Sequence, residues 1–253
     1  MSFNRVRTCA FVALIACLSF ALASVVFADA KVLARWSQTK SYEDKKMGGE
    51  LDVRVTYYSS EYIEALVKEE AEKNLWTEDE TEQFKYRLIS GLSLDDYIPV
   101  NIEFDNRGPT MHLAPFDRFV TLWAGKKKIA PVEYDKRFNF GFQGKRDGLV
   151  YFPRYDEKGR SNLEGVKSVR LDMKGAISSI TMNLSTVDFI WDISRDDPDA
   201  LYKGKAASRL ELDRLIKRMD NLNAEKKKLE NQLAELNSEL DTVEQRVEEL
   251  QRQ

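Results

Sequence analysis

The final forty or so residues repeat hydrophobic side chains at alternating intervals of three and four. We call these twelve positions the seam: Leu212, Leu215, Met219, Leu222, Lys226, Leu229, Leu233, Leu236, Leu240, Val243, Val247 and Leu250. Only Lys226 among them is not apolar. The spacing is a heptad repeat with position a at 212 and d at 215, so it predicts a coiled coil from about 205. Asp197 and Pro198 are typical of a helix start, which places the long helix at 198–253.

The charges of this helix constrain its partner. Residues 205–228 hold eight basic and four acidic residues, whereas 229–253 hold two basic and seven acidic ones. This segregation favours a partner that runs the opposite way, or a different partner of complementary charge. A parallel dimer is disfavoured, because it would place Glu225 opposite Glu230. The residues from Arg246 to Leu250, however, resemble the arginine-first pattern of trimeric coiled coils. Orientation and stoichiometry stay open, and a helix folded back on its own domain is the alternative.

The middle of the chain alternates apolar and polar residues with period two, which is typical of strands with one face in contact with water. The alternating runs are 51–57, 98–104, 119–123 (Phe119, Thr121, Trp123), 169–173 and 187–193, with shorter candidates at 129–134, 149–152 and 179–184. About eight short strands without intervening helices predict an antiparallel β-sandwich over 31–197.

One helical hairpin interrupts these strands, at about residues 60–91. Ser60 is a candidate cap for its first helix, Thr77 and Glu80 form a capping box for the second, and Gly91 ends it. The hairpin carries nine acidic residues between Glu61 and Glu82. A solvated face accounts for them, and a surface for a cation or a basic partner is the alternative.

The amino terminus has the pattern of an export signal. Arg5 and Arg7 precede an apolar run at 9–28, and Ala28-Asp29-Ala30 is a small-x-small cleavage site, so we expect residues 1–30 to be a signal peptide. The run is long enough to remain as a signal anchor, and Leu14 to Cys17 is similar to a lipobox, which would lipidate Cys17. In each case the rest of the chain is exported, to the periplasm or cell envelope of a bacterium.

Composition excludes several functional classes. Both cysteines, Cys9 and Cys17, lie in the leader, so the mature chain has neither disulfides nor thiolate metal ligands. Removing residues 1–30 leaves 37 basic and 41 acidic residues, a balance that does not suggest nucleic-acid binding.

Candidate chemistry is sparse. His112 is the one histidine, which excludes a two-histidine metal site, and no glycine-rich phosphate loop occurs. The acids at 192, 196, 197 and 199 lack the glycine and the terminal glutamate of a calcium loop. Asp95 and Asp96 are a carboxylate pair of the kind glycosidases use, although such pairs arise by chance in an acidic chain. We therefore expect no enzyme and no cofactor, with an acid-pair hydrolase as the least favoured alternative.

A single segment, 135–155, combines aromatic and basic residues as binding sites do. Its candidate binding residues are Arg137, Phe138, Phe140, Phe142, Lys145 and Arg146. Phenylalanines that alternate on a strand are usually core. If their face were exposed, it would suit a glycan, an anionic polymer or a protein partner.

Four stretches carry a resemblance to a known family: YIPVNIEFDNRGP, DRFVTLWAGKKKIAP, GLVYFP and VKSVRLDM. Across Tyr97–Met173 the chain resembles the immunoglobulin-like sandwich domains of exported bacterial proteins. It departs from them by its helical hairpin, and it lacks the Cys-Trp-Cys pattern of antibody domains. The resemblance implies binding or spacing rather than catalysis, and it matches no family site.

Together these patterns predict an exported, non-enzymatic structural or adaptor protein of the cell envelope. Its expected partner is itself or another coiled-coil protein, through the seam. The alternative is a module that binds carbohydrate or an anionic polymer through 135–155. Membrane contact is expected only through an uncleaved anchor or a lipidated Cys17.

Overall fold

The computed structural model describes residues 29–45, 48–202 and 205–252. Most of the predicted leader lies outside them, and residues 29–36 are helical. The chain divides into two compact units, Met1–Lys203 and Gly204–Gln253. Within the described ranges, no helix combines the length and apolarity needed to span a bilayer.

The described part of the first unit contains nine strands, and every pairing between them is antiparallel. They are β1 Ser37–Glu43, β2 Glu50–Tyr57, β3 Tyr97–Met111, β4 Val120–Ala124, β5 Lys127–Ile129, β6 Glu133–Tyr134, β7 Phe142–Pro153, β8 Ser168–Lys174 and β9 Thr186–Asp192. One sheet has the order β1-β2-β3-β7-β6, and the other has the order β5-β4-β8-β9. The predicted mainly antiparallel β architecture is thereby confirmed.

Period two places one face of each sheet in a common core. Val53 on β2 pairs with Phe104 on β3, and Leu171 on β8 pairs with Phe189 on β9. These four side chains are at most 1% exposed, and they belong to one hydrophobic cluster that draws on both sheets. Alternation thus gives each sheet one dry face, and each dry face helps to bury the other.

Aromatic rings join the two sheets at one end of this core. Tyr57 on β2 stacks on Trp36 with ring centroids 5.6 Å apart, and it lies 5.8 Å from the ring of Trp191 on β9. The Trp191 indole N–H donates a 3.0 Å hydrogen bond to the Trp36 carbonyl. Because a buried indole N–H needs an acceptor, this bond fixes Trp36, just before β1, against β9.

The helical hairpin follows β2 as predicted. It consists of α1, Ser60–Asn74, and α2, Glu78–Leu92. The predicted capping box is present: the Thr77 hydroxyl accepts from the Glu80 N–H at 3.4 Å, and the Glu80 carboxylate accepts from the Thr77 N–H at 2.8 Å. The α1 cap is Ser59 rather than Ser60. Helix α2 continues through Gly91 to Leu92, so the predicted stop at Gly91 is one residue early.

Strand β4 presents the face opposite to the predicted one. Val120, Leu122 and Ala124 are buried, whereas Thr121 and Trp123 are only half-buried. Every residue from Phe119 to Ala124 except Thr121 is apolar, so period two alone cannot choose the face. Cross-strand pairing decides it, because Leu122 pairs with core residue Leu171 while Trp123 pairs with Arg170. The Arg170 guanidinium then lies 5.5 Å from the Trp123 ring centroid.

Two further elements differ from the sequence expectations. Residues 179–184 form turns rather than a strand, and Thr181 is buried there with its hydroxyl donating to the Gly175 carbonyl at 2.7 Å. Strand β1, which no period-two pattern predicts, pairs with β2 over seven residues. It is an edge strand with no buried residue, so it carries no hydrophobic alternation to reveal it.

The second unit is α3, Lys205–Gln251, a single helix of 47 residues. At 1.5 Å per residue it is about 70 Å long. The predicted start at 198 is wrong, because Pro198–Tyr202 forms a separate 3-10 helix. That segment belongs to the first unit, where Leu201 is buried and the Tyr202 hydroxyl donates to Asp95 at 2.8 Å.

Candidate functional site

The seam of α3 is the most extensive exposed hydrophobic surface among the described residues. Each of its eleven apolar side chains is between 47% and 63% exposed, and the adjacent Ile216 is 43% exposed. On an isolated helix the heptad spacing aligns them in one stripe. Water therefore contacts an apolar strip that is interrupted only at Lys226, and extended apolar surfaces commonly bind another protein.

A shallow groove lies near the middle of the seam. Its lining consists of Leu222, Glu225, Lys226, Leu229, Glu230 and Leu233. The Lys226 ammonium lies 3.7 Å from the Glu230 carboxylate one turn along the helix. The ion pair holds the charged end of Lys226 towards Glu230, which lies beside the seam.

The aromatic segment 135–155 does not form the single alternating strand that the sequence suggests. Lys136–Asn139 is a short 3-10 helix, and β7 starts only at Phe142. Phe138 and Phe142 are buried in the core, with Phe138 stacked on Phe116 at 4.5 Å, whereas Phe140 is 67% exposed. Phe138 and Phe142 both pack against the Phe104 ring, at 5.8 and 5.9 Å, so only Phe140 of the three rings is exposed.

The two arginines among the candidate binding residues are engaged by neighbouring groups. The Arg137 guanidinium binds the Asp135 carboxylate at 2.8 to 3.1 Å and donates to the Asp147 carbonyl at 2.9 Å. The hydrogen bond from Arg137 holds the pKa of Asp135 below its ordinary value. Arg146 donates to the Arg137 carbonyl at 2.7 Å and lies over the Phe142 ring. Three of the six predicted binding residues are exposed: Arg137, Phe140 and Lys145. Phe140 is the one aromatic ring among them.

One of the acids near Pro198, Asp196, joins two segments of the first unit. The Asp196 carboxylate accepts hydrogen bonds from the Ser60 N–H and hydroxyl at 2.8 and 2.7 Å. Burial raises the pKa of Asp196 above its ordinary value, against these hydrogen bonds. Asp196 therefore holds the segment after β9 to the start of α1. Within the described residues, no group of histidine, cysteine and carboxylate side chains is arranged to hold a metal ion.

The other chemical candidates do not converge on one place. His112 is exposed between buried Met111 and Leu113, as expected for a histidine at a strand end. Asp95 accepts the hydroxyl of Tyr202.

Sequence reasoning did not find a cleft between α1, α2 and residues 195–200. Charged side chains in its lining include Glu61, Glu64, Lys68, Glu82, Lys85 and Asp197. The Lys85 side chain is 8% exposed, and its ammonium lies 2.6 Å from the Glu64 carboxylate. The sequence signal that could have indicated this cleft is Lys85 itself, a lysine that lies between Phe84 and Leu88 on the apolar stripe of α2. The pair satisfies the lysine across the two helices, so the cleft holds no unpaired buried charge at this position.

Six of the nine hairpin acids are exposed and three are half-buried. Some have basic neighbours: Arg35 contacts Glu61 at 3.0 Å and Lys73 contacts Glu70 at 3.4 Å. This arrangement agrees with a solvated helix face.

Comparison with known proteins adds one distant structural similarity. No protein-family model and no curated protein matches the sequence. A crystal structure of a novel protein of unknown function from Burkholderia pseudomallei K96243 aligns at 12% identity with a TM-score of 0.35. The alignment covers 76% of this chain and 90% of the other.

Proposed function

We propose that this chain is an exported, non-enzymatic structural or adaptor protein of the bacterial cell envelope that associates through α3. Its two sheets form an immunoglobulin-like sandwich that presents a binding or spacing surface, and α3 pairs with another helix as a coiled coil. The leader pattern at 1–30 supports export.

The observation that carries the proposal is the exposed seam. Full burial of a leucine or valine side chain stabilises by about 1.5–3 kcal/mol relative to exposure. Eleven half-exposed apolar residues on one stripe therefore leave a large free energy available to a partner helix. The spacing of two apolar residues in seven fits a helix better than a sheet, because a sheet covers a wider face.

Association is tested by analytical ultracentrifugation of the full chain at micromolar concentration. We expect an oligomer that dissociates when Leu229→Glu and Leu233→Glu are introduced together. The matched control adds the same two charges on the opposite face, as Asn231→Glu and Ser238→Glu, and should leave the oligomer intact. A monomeric parent chain would contradict the proposal.

Export is tested separately by N-terminal sequencing of the protein recovered from a bacterial envelope fraction. We expect the mature chain to begin at Lys31. Cleavage after Ala30 removes Asp29, whose 2.7 Å contact with Lys68 is a surface ion pair of small energetic value. An acylated Cys17 at the terminus would replace secretion with lipid anchoring, and an intact cytoplasmic chain would contradict export.

A further inference from the structure

We propose that the seam binds a second copy of this chain in an antiparallel dimer with one defined register. Leu212 of one copy lies opposite Val243 of the other, and Leu215 lies opposite Leu240. The same register pairs Met219 with Leu236, Leu222 with Leu233, and Lys226 with Leu229. This inference rests on the proposed association through α3 and adds its partner, direction and alignment.

Charge segregation selects the direction. The first half of α3 is predominantly basic and the second half predominantly acidic. A parallel dimer places like halves together and sets Glu225 beside Glu230 and Glu239 beside Glu244. An antiparallel dimer of identical chains instead places the basic half of each copy along the acidic half of the other, without requiring a different partner.

The residues beside the seam select the register. In an antiparallel coiled coil, each residue that directly precedes an a position, called position g, faces a g residue of the other helix. The proposed register therefore sets Glu211 against Arg246 and Arg218 against Glu239, and the two-fold symmetry makes each pair twice. All four side chains are exposed on α3 and can reach across a coil.

The competing antiparallel register shifts the second helix by one heptad, so that Leu212 faces Leu250. It sets Arg218 against Arg246 and Glu225 against Glu239, which are like-charged pairs. It also leaves the first six residues of α3, 205–210, beyond the end of the partner helix. The proposed register overlaps residues 205–250, all but the last residue of α3, and its two-fold axis lies between Lys226 and Leu229, near the middle of the helix. Val247 and Leu250 then face Ser208 and Lys205 in the first turns of the other copy, so ten of the twelve seam positions face one another.

The charged seam position fits the centre of this dimer. Lys226 lies within the groove lined by Leu222, Leu229 and Leu233. The ammonium of Lys226 is already turned towards Glu230 on its own helix. Its stem can therefore pack on Leu229 of the other copy while the charge remains at the edge of the interface.

Disulfide formation between single-cysteine variants tests the register. The full chain carries Cys9→Ser and Cys17→Ser, so that the introduced cysteine is its only thiol. Chains with Leu215→Cys are mixed with chains with Leu240→Cys, equilibrated and oxidised. We expect the mixed 215–240 disulfide to predominate, since facing seam positions bring the Cβ atoms close enough to bond.

Two other mixtures report the alternatives. Predominant 215–247 disulfides with Val247→Cys would establish the shifted antiparallel register, and predominant 215–215 disulfides would establish a parallel coil. Either result overturns this inference while leaving association intact, as would a trimer in the ultracentrifuge. A monomeric parent chain would instead overturn the proposed function. Ser238→Cys, on the opposite face, is the matched control and should not form dimers.

A charge exchange gives an independent readout. Arg218→Glu should weaken dimerisation roughly tenfold, because it replaces two attractive pairs with two repulsive ones. Adding Glu239→Arg to the same chain should restore affinity to near the parent value. Lys228→Glu, away from the seam, is the control and should have a smaller effect. Failure of the double variant to recover affinity would contradict the proposed register.

Discussion

The two units of this chain place similar hydrophobic residues in opposite environments. Val53 and Phe104 in the sheets are fully buried, whereas Leu229 and Leu233 on α3 are 58% and 63% exposed. Both sets follow a regular period, two in the strands and three-four in the helix. In the first unit the apolar face of one sheet is covered by the other sheet, whereas α3 presents a stripe with the geometry of half an interface.

The difference shows that the period of a hydrophobic pattern indicates which kind of element can cover it. It does not show whether the same chain supplies that element. A strand's alternating face is buried when the same chain supplies a second sheet. A heptad stripe is narrow and is buried best by another helix of similar length. In this molecule the strands therefore account for the stability of the domain, and the helix accounts for its proposed function.

The largest expected effect separates the two environments within one short segment. Phe138→Ala should lower the free energy of unfolding of the first unit by about 3–5 kcal/mol, because a fully buried ring leaves a cavity beside Phe116 and Phe104. Phe140→Ala, two residues away, should change it by less than about 0.5 kcal/mol, because that ring is mainly in water. Urea unfolding followed by tryptophan fluorescence measures both. Equal losses in the two variants would contradict the distinct environments.

Lys226→Leu sharpens the comparison on the helix side. Replacing the one charged seam residue should raise the melting temperature of the oligomer, since a leucine buried there contributes about 1.5–3 kcal/mol more than an exposed one. Circular dichroism at several protein concentrations measures the transition of α3. Lys228→Leu, outside the seam, is the control and should not raise it comparably. An unchanged or lower melting temperature for Lys226→Leu would mean that the assigned heptad register is wrong.

Local signals predicted much of this fold. Strands β2, β3, β8 and β9 each bury one face, so period two identifies both the strand and its inward residues. The capping box at Thr77 and Glu80 was equally readable, because it depends on contacts within four residues. Such features are encoded by neighbouring residues and need no knowledge of the tertiary structure.

The remaining features depend on distant partners. Strand β1 is visible only through its pairing with β2, and the face of Trp123 is set by Arg170 on β8. The Asp135 carboxylate accepts from the Arg137 N–H and caps the 3-10 helix Lys136–Asn139, so the alternating phenylalanines do not continue as one strand. The seam can be predicted from the sequence, because the regular geometry of one helix aligns its residues. The cleft with Lys85 and Glu64 cannot, because it forms only where two helices pack together.

A smaller effect tests whether the hairpin depends on its cap as the core depends on its rings. Thr77→Ala removes the acceptor for the Glu80 N–H and one side of the capping box, so it should destabilise the first unit by about 1 kcal/mol. Urea unfolding measures the loss. Thr77→Ser keeps the hydroxyl and should retain most of the stability. A loss of the same size in Thr77→Ser would show that the methyl group, not the cap, is responsible.

The smallest predicted effect is a pH dependence in the turn after β7. The Asp156 carboxylate accepts hydrogen bonds from the N–H groups of Arg160 and Lys158, both at 2.9 Å, and from the Arg160 guanidinium. These contacts, led by the Arg160 N–H, lower the pKa of Asp156 to about 2 from its ordinary 3.8.

A folded-state pKa below the unfolded value means that the ionised carboxylate favours the folded chain. Its contribution is therefore present above about pH 3.8 and is lost as the pH falls through about 2. Asp156→Asn should lower the stability of the first unit slightly at pH 6, and the difference from the parent chain should shrink between pH 4 and pH 2. Urea unfolding across that range measures it, with Glu157→Gln as the neighbouring control for loss of one negative charge. A difference that stays constant down to pH 2 would show that Asp156 does not contribute through its charge.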